Sequence, residues 1–506
     1  MVCQRLRCCL RFAISFGVLS CAMLVTLPAF GQARGILPPN VARQNGLDRV
    51  WATQIDVDRT RGRVADVTVQ VSSTRKQTVY EVTGEGRTSI VSELQLDPNG
   101  KPLGVDGAKK YAEDRVKEMK SKSKDPSAEF SMRRRDVPEI TLYATTNLGA
   151  VHAIDGETGK TKWVTALGKM DYPTTWAAAN DNYVTMLSGS TILVLKAKDG
   201  ELVWKRRSAG VPLTGHAVTD THLFLPTVQG NMECHLLESA DETPWNYHAA
   251  GLSFGPPVGD HDTVAWTTDR GKLVIAQADP RIVRYRIDTG LMFDCSPALA
   301  GKDKVVAVTM DGFVYCVDRY NGVIAWKISL GERCHVAPFA IGDSVYVLTA
   351  ERNLYCLNLQ NGLEKWPSGP AIGIRQLVSS SKEKLYCVGE VGRMLILDNK
   401  TGRLVAGVDT SELDLQVVNP LTDRIYLGTH EGTLQCLREI GARWPEVHGD
   451  REDDDATPEK APATSKPRPK KGTDEDPFAP AAKGDADPFE AAPKKGAAKG
   501  DDDPFK

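Results

Sequence analysis

A polar turn recurs along the chain at Gly149, Gly189, Gly230, Gly271, Gly312, Arg352, Gly392 and Gly432, with spacings of 40, 41, 41, 41, 40, 40 and 40 residues. Each turn separates two short runs rich in β-branched and aromatic residues. The first copy reads Leu142-Tyr143-Ala144-Thr145-Thr146 before the turn and Ala150-Val151-His152-Ala153-Ile154-Asp155 after it. Two such runs around a polar-glycine turn form a hairpin. Hairpins stamped out at a period near 40 make propeller blades. The fold predicted is therefore all-β, an eight-bladed β-propeller. Where Arg352 replaces the turn glycine, the neighbouring Asn353 is expected to supply the left-handed residue.

The second run is apolar in every copy. Four residues past the turn stand Ala153, Leu193, Cys234, Ile275, Cys316, Cys356, Ile396 and Cys436. A blade is packed on both faces by its neighbours, so its middle strands read as continuous apolar runs. Four of the cysteines fall at this one position, which makes them small buried apolar residues. A second turn follows at Thr158-Gly159, Asp199-Gly200, Asn321-Gly322, Asn361-Gly362 and Thr401-Gly402. After it comes an aromatic residue: Trp163, Trp204, Trp245, Tyr285, Trp326, Trp366 and, two residues early, Trp444. Their regularity marks them as pegs packing each outer strand onto the adjacent blade. The seventh copy has Ala406 there and is expected to be the weakest seam.

The run Asp155-Gly156-Glu157-Thr158-Gly159-Lys160-Thr161-Lys162-Trp163 closes the first unit. It resembles the pyrroloquinoline-quinone-type (PQQ-like) propeller repeat, and the resemblance covers residues 139–445. Eight-bladed members of that family include quinoprotein dehydrogenases and the propeller lipoprotein of outer-membrane-protein assembly. The resemblance implies the fold. It does not by itself imply chemistry, because Gly, Asp and Trp in this pattern build the blade.

Closure of the ring requires strands from outside the repeats. The first recognisable repeat begins at its second strand, and Arg63–Val71 is the candidate for its inner strand. Trp51 and Ile55 are candidates to pad that entry. Residues 74–138 then become an insertion within the first blade. In it, Val105–Lys124 reads as an exposed charged helix. Thr78–Lys101 as a degenerate blade is the alternative. Arg133-Arg134-Arg135 ends the insertion and reads as a solvated loop. The division expected is 1–31 signal, 32–138 N-terminal segment, 139–446 propeller and 447–506 tail.

Both ends carry their own signatures. Arg5, Arg7 and Arg11 precede an uncharged run from Phe12 to Phe30, and Ala29-Phe30-Gly31 offers small residues for cleavage. The chain is expected to be exported to the periplasm, the cell envelope or the medium, with a membrane tether only where the signal stays uncleaved. Export permits disulfides, but the mature chain keeps seven cysteines, an odd number. Residues 447–506 are rich in Ala, Pro, Lys, Asp and Gly and are expected to be disordered. They repeat one tripeptide, Asp-Pro-Phe, ending at Phe478, Phe489 and Phe505. Those three rings are candidate anchors of a short multivalent ligand. A solvated tail expanded by duplication is the plainer reading.

The mature chain contains no Cys-x-x-Cys, no His-Glu-x-x-His and no phosphate loop. Cys234-His235 and Cys334-His335 are adjacent pairs that a strand would turn to opposite faces. The 63 basic and 65 acidic residues leave a net charge of -2, which offers no field for nucleic acid. The expectation is a noncatalytic exported scaffold for other envelope or secreted proteins, with no cofactor, metal site or catalytic residue. The alternatives are a quinoprotein dehydrogenase using pyrroloquinoline quinone and calcium, or a propeller that binds a small molecule or glycan. The quinoprotein reading calls for adjacent cysteines, and here the adjacent pair is Cys8-Cys9, inside the signal.

Overall fold

The computed structural model describes residues 35–448, apart from 59, 85–86, 98–100, 123–129, 170–171 and 173. The signal and the tail, with Phe478, Phe489 and Phe505, lie outside the described residues. The fold is all-β. Among the described residues the strands form eight antiparallel sheets, seven of four strands and one of five.

In chain order the first elements are α1 (Pro39–Gln44), β1 (Leu47–Gln54), β2 (Val64–Gly84), β3 (Arg87–Ser92), α2 (Gly104–Lys122), β4 (Phe130–Thr146), β5 (Ala150–Asp155) and β6 (Thr161–Ala166). The first sheet runs β3-β2-β4-β5-β6. Its inner strand is the first part of β2, where Val64 to Val71 pair with Thr146 to Ile140 of β4. Each later sheet takes four strands in sequence up to residue 408. The last sheet takes Leu415–Val417, Ile425–Gly428 and Thr433–Glu439, and then β1 from the other end of the chain.

The sheets touch in succession. Thr68 donates to the Ala177 carbonyl at 2.7 Å, and Asn180 to that of Thr219 at 2.8 Å. Asp220 N–H donates to the His261 carbonyl at 2.7 Å, and Arg319 meets Asp260 at 3.1 Å. Ser379 donates to the Thr422 carbonyl at 3.1 Å. The last sheet returns to the first through Trp51, whose indole donates to the Gly156 carbonyl at 2.9 Å.

That bond corrects one sequence expectation. Trp444 lies beyond the last strand, half-buried, and its indole nitrogen is buried without a partner. The aromatic opposite Cys436 is Trp51, in the same register as Trp326 opposite Cys316. The physical reason is that the C-terminal segment supplies no outer strand. The N-terminal one does, and it brings its own indole.

At the seam after the seventh sheet, where Ala406 stands in place of a peg, the N-terminal segment packs in. Leu37, Ala42 and Leu47 pack with Ile396, Val408, Leu413 and Leu437 in one buried cluster, with Ala406 at its edge. A six-residue helix has no stability of its own. Burial of these side chains holds α1 in place.

The insertion is an arm, and no part of it is a separate blade. Beyond a break at Val71/Lys76, β2 and β4 continue to pair from Lys76↔Pro138 out to Gly84↔Phe130, and β3 joins the outer side of β2. On one face Tyr80, Val82 and Val91 pack against Ala108, Ala112 and Val116 of α2.

Two predictions follow from closure. Trp51→Ala should lower stability by about 3–5 kcal/mol in denaturant unfolding, and Trp444→Ala by less than half as much. The second concerns Asp423, beside the fully buried Arg424. Burial raises the Asp423 carboxyl to about 6 despite the guanidinium. The folded chain thus holds a proton that the unfolded chain has released, and stability falls as pH rises from about 4 to 6. Relative to Asp423→Asn, the parent should lose about 2–3 kcal/mol across that window, read as denaturation midpoints at both ends of it.

Candidate interaction faces and the peg seams

The pegs build a common joint. Trp163, Trp204, Trp326 and Trp366 are buried, and their indoles donate to the carbonyls of Ala197, Leu237, Leu359 and Asn399 at 2.8–2.9 Å. Each acceptor is the residue just past the third strand of the next sheet, as Gly156 is for Trp51. The rings also lie flat on turn glycines. A Cβ added at Gly159 would come within 2.5 Å of Trp51, at Gly200 within 2.4 Å of Trp163, and at Gly402 within 2.6 Å of Trp366. These glycines also have positive φ, near 70°. They serve the turn and the neighbour's ring together. Trp245 and Tyr285 keep the register, opposite Cys234 and Ile275, but are half-buried. Trp245 stacks on Tyr247 with ring centres 5.7 Å apart.

The adjacent Cys-His pairs come apart, Cys234-His235 by strand alternation and Cys334-His335 in the loop before Phe339. His235 Nε2 donates to the Glu233 carboxylate at 3.1 Å, and that carboxylate also accepts from Gly210 N–H at 2.6 Å. Cys234 is buried on the other side, in the cluster with Phe224 and Trp266. His335 bonds Asp294, while Cys334 is buried with Val308 and Val345. Among the described residues, no three His, Cys, Asp or Glu side chains converge as a metal centre would need.

All seven described cysteines are buried and unbridged. Burial pushes the thiols of Cys234, Cys316 and Cys334 up to about 12 and that of Cys356 to about 11. Thiolate is the nucleophile, so these sulfurs are inert packing atoms while the fold holds.

The connections divide between the two ends of the sheets. At one end, first strands turn into second strands and a cavity of about 880 Å³ opens, lined among others by Asn180, Asp220, His261, Lys302, Asp343 and His448. Its carboxylates already have partners. Asp181 accepts from Ser73 and Thr74, Asp220 meets His261 at 3.2 Å, and Asp343 meets Lys365 at 3.0 Å. The arm rises from this end, its root tied down by Arg75, which donates to the Asp181 carbonyl at 2.7 Å.

At the opposite end, each outer strand crosses to the next inner strand. Here sequence motifs carried no signal, and the structure exposes large apolar side chains in loop after loop. Tyr172, Val211, Phe254 and Met292 stand in the first four of these crossings, at 50%, 54%, 42% and 37% exposure, and Ile372, at the end of the outer strand of the sixth sheet, is 80% exposed. Position within the repeat would have found them, because each lies between the peg and the next first strand.

One measurement checks the buried thiols. A thiol reagent at pH 8 should label none of Cys234, Cys295, Cys316, Cys334, Cys356, Cys387 or Cys436 in the native protein, and all of them after denaturation. Labelling should follow global unfolding.

Comparison with known proteins places these joints in a family. The family model described as outer membrane protein assembly factor BamB matches residues 119–228 and 290–442. BamB of Yersinia pestis is 24% identical over 335 residues, covering 59% of this chain and 82% of its own. BamB of Shewanella oneidensis is 25% identical over 290 residues, covering 52% and 69%. Among solved structures, BamB from Moraxella catarrhalis aligns with a TM-score of 0.49 at 15% identity, over 59% of this chain and 91% of that one. The computationally designed Ika8 protein aligns at 0.47 and 14% identity, over 59% and 93%. The match takes in more than half of the residues, and the chain belongs to the PQQ-like repeat family described as outer membrane protein assembly factor BamB.

Proposed function

We propose that this protein is a noncatalytic propeller scaffold of the cell envelope, exported by its N-terminal signal and acting in the assembly of outer-membrane proteins. In this reading the eight sheets are eight blades, the peg joints make the body rigid, and the crossing loops hold partner proteins. The domain limits follow: 1–31 signal, 32–138 entry strands and arm, 139–446 propeller, 447–506 tail. Trp163, Trp204, Trp245, Tyr285, Trp326 and Trp366 are structural pegs, completed by Trp51.

The observation that carries the reading is the arc of Tyr172, Val211, Phe254, Met292 and Ile372 on one end of the body. Monomeric proteins seldom hold large apolar side chains in water in four successive loops. Aromatic and Met side chains of this kind form the cores of protein interfaces. The family supplies the context, since its described members are assembly factors.

The test is co-purification from the envelope fraction of full-length tagged protein, beside a Phe254→Glu/Met292→Glu variant. The variant should fold with unchanged stability and lose its outer-membrane assembly partners at least about tenfold, as loss of interface anchors requires. Equal recovery of the same partners by both proteins would reject the crossing loops as the binding surface.

A further inference from the structure

The arm has an open edge. β4 pairs with β2 along its whole length, but with β5 only from Thr141 to Thr145. Its outer part, residues 130–138, therefore presents one row of backbone N–H and C=O groups to which no described strand is bonded. An edge of this kind is a template for an added strand.

This edge carries Arg133, Arg134 and Arg135. Alternation sends Arg133 and Arg135 to the face opposite α2. The Nε atoms of both are buried and have no hydrogen-bond partner. Glu81 stands between them on β2, opposite Arg133, and reaches only to 3.8 Å from Arg135. One carboxylate for two guanidiniums leaves unmet donors and a net positive face, the arrangement that accepts carboxylates.

We propose that the open edge of β4 is a docking strand for an extended acidic segment, and that the segment is the chain's own run Asp450-Arg451-Glu452-Asp453-Asp454-Asp455. Three aspartates match three arginines residue for residue, and opposite charges directly across a strand pair attract. The described body ends at His448, which lines the same cavity as Ser72 and Ser73 at the arm's root. Seven extended residues beyond His448 reach about 23 Å, and Arg135 lies five residues along the strand from Ile140.

The experiment is hydrogen exchange by mass spectrometry on the full chain, in four forms. These are the parent, Arg133→Glu/Arg135→Glu, Asp453→Lys/Asp454→Lys/Asp455→Lys, and the two sets combined. In the parent, peptides over 130–138 should exchange about tenfold more slowly than in either charge-reversed form, and the combined form should recover the protection. The tail substitutions touch no residue of the described body, so lost protection in that form cannot come from an unfolded arm. Equal exchange in parent and tail-reversed chain would overturn the proposal and leave the arginines as charges that blunt an edge. Protection that grows with protein concentration would also overturn it, because the strand would then come from a second copy.

Discussion

Everything in this molecule depends on one seam, where residues nearly four hundred positions apart in the chain meet. β1 lies along Thr433–Glu439 from Leu47↔Glu439 to Gln54↔Thr433. Across the same seam Arg424, with a fully buried side chain, grips Glu157 in two bonds at 2.8 and 3.1 Å and meets Asp423 at 3.2 Å. It also donates to the carbonyls of Ala442 and Arg443. A guanidinium out of water is costly unless every donor is met, and here carboxylates and carbonyls from three parts of the chain meet it. The other seams join neighbours in sequence and close locally. This one carries the loop-closure entropy of the whole ring, and it receives the densest polar network together with an indole.

The repeat itself was open to sequence reading because its letters answer to geometry. A turn glycine needs positive φ, a peg needs a flat glycine opposite, and a twice-covered strand needs apolar side chains on both faces. Each demand returns once per sheet, so the period survives even where single residues change, as at Arg352, which itself takes the left-handed conformation at φ 67° where Asn353 was expected to supply it. The inner strand near Arg63–Val71 and the helix of the insertion were legible for the same reason. Both are bounded by the ends of recognisable patterns.

What escaped is what occurs once. The eighth peg was sought downstream, at Trp444, because every other peg follows its own hairpin. Nothing local ties Trp51 to Cys436. The filling of the Ala406 gap by Leu37 and Ala42 was likewise invisible, since α1 is too short to show a helical period. Pattern reading sees relations repeated at fixed spacing. It cannot see a single contact between ends, and that is the contact which closes the ring. The crossing loops escaped differently. Tyr172, Val211, Phe254, Met292 and Ile372 share a place but no residue type, so no motif links them.

The same logic separates structure from function along this chain. Cysteines, tryptophans and Asp-Gly turns recur, and each recurrence is explained by packing: thiols raised out of reactivity by burial, indoles bonded to backbone, carboxylates capping turns, as Asp155 and Asp398 do. A residue type that packing demands in every unit has little freedom left to bind something else. Freedom lies where the unit makes no demand, in the crossing loops and in the insertion between the first two strands of the first sheet. The arm's sheet continues strands already fixed in the body, so whatever binds there meets a rigid surface at little further entropic cost.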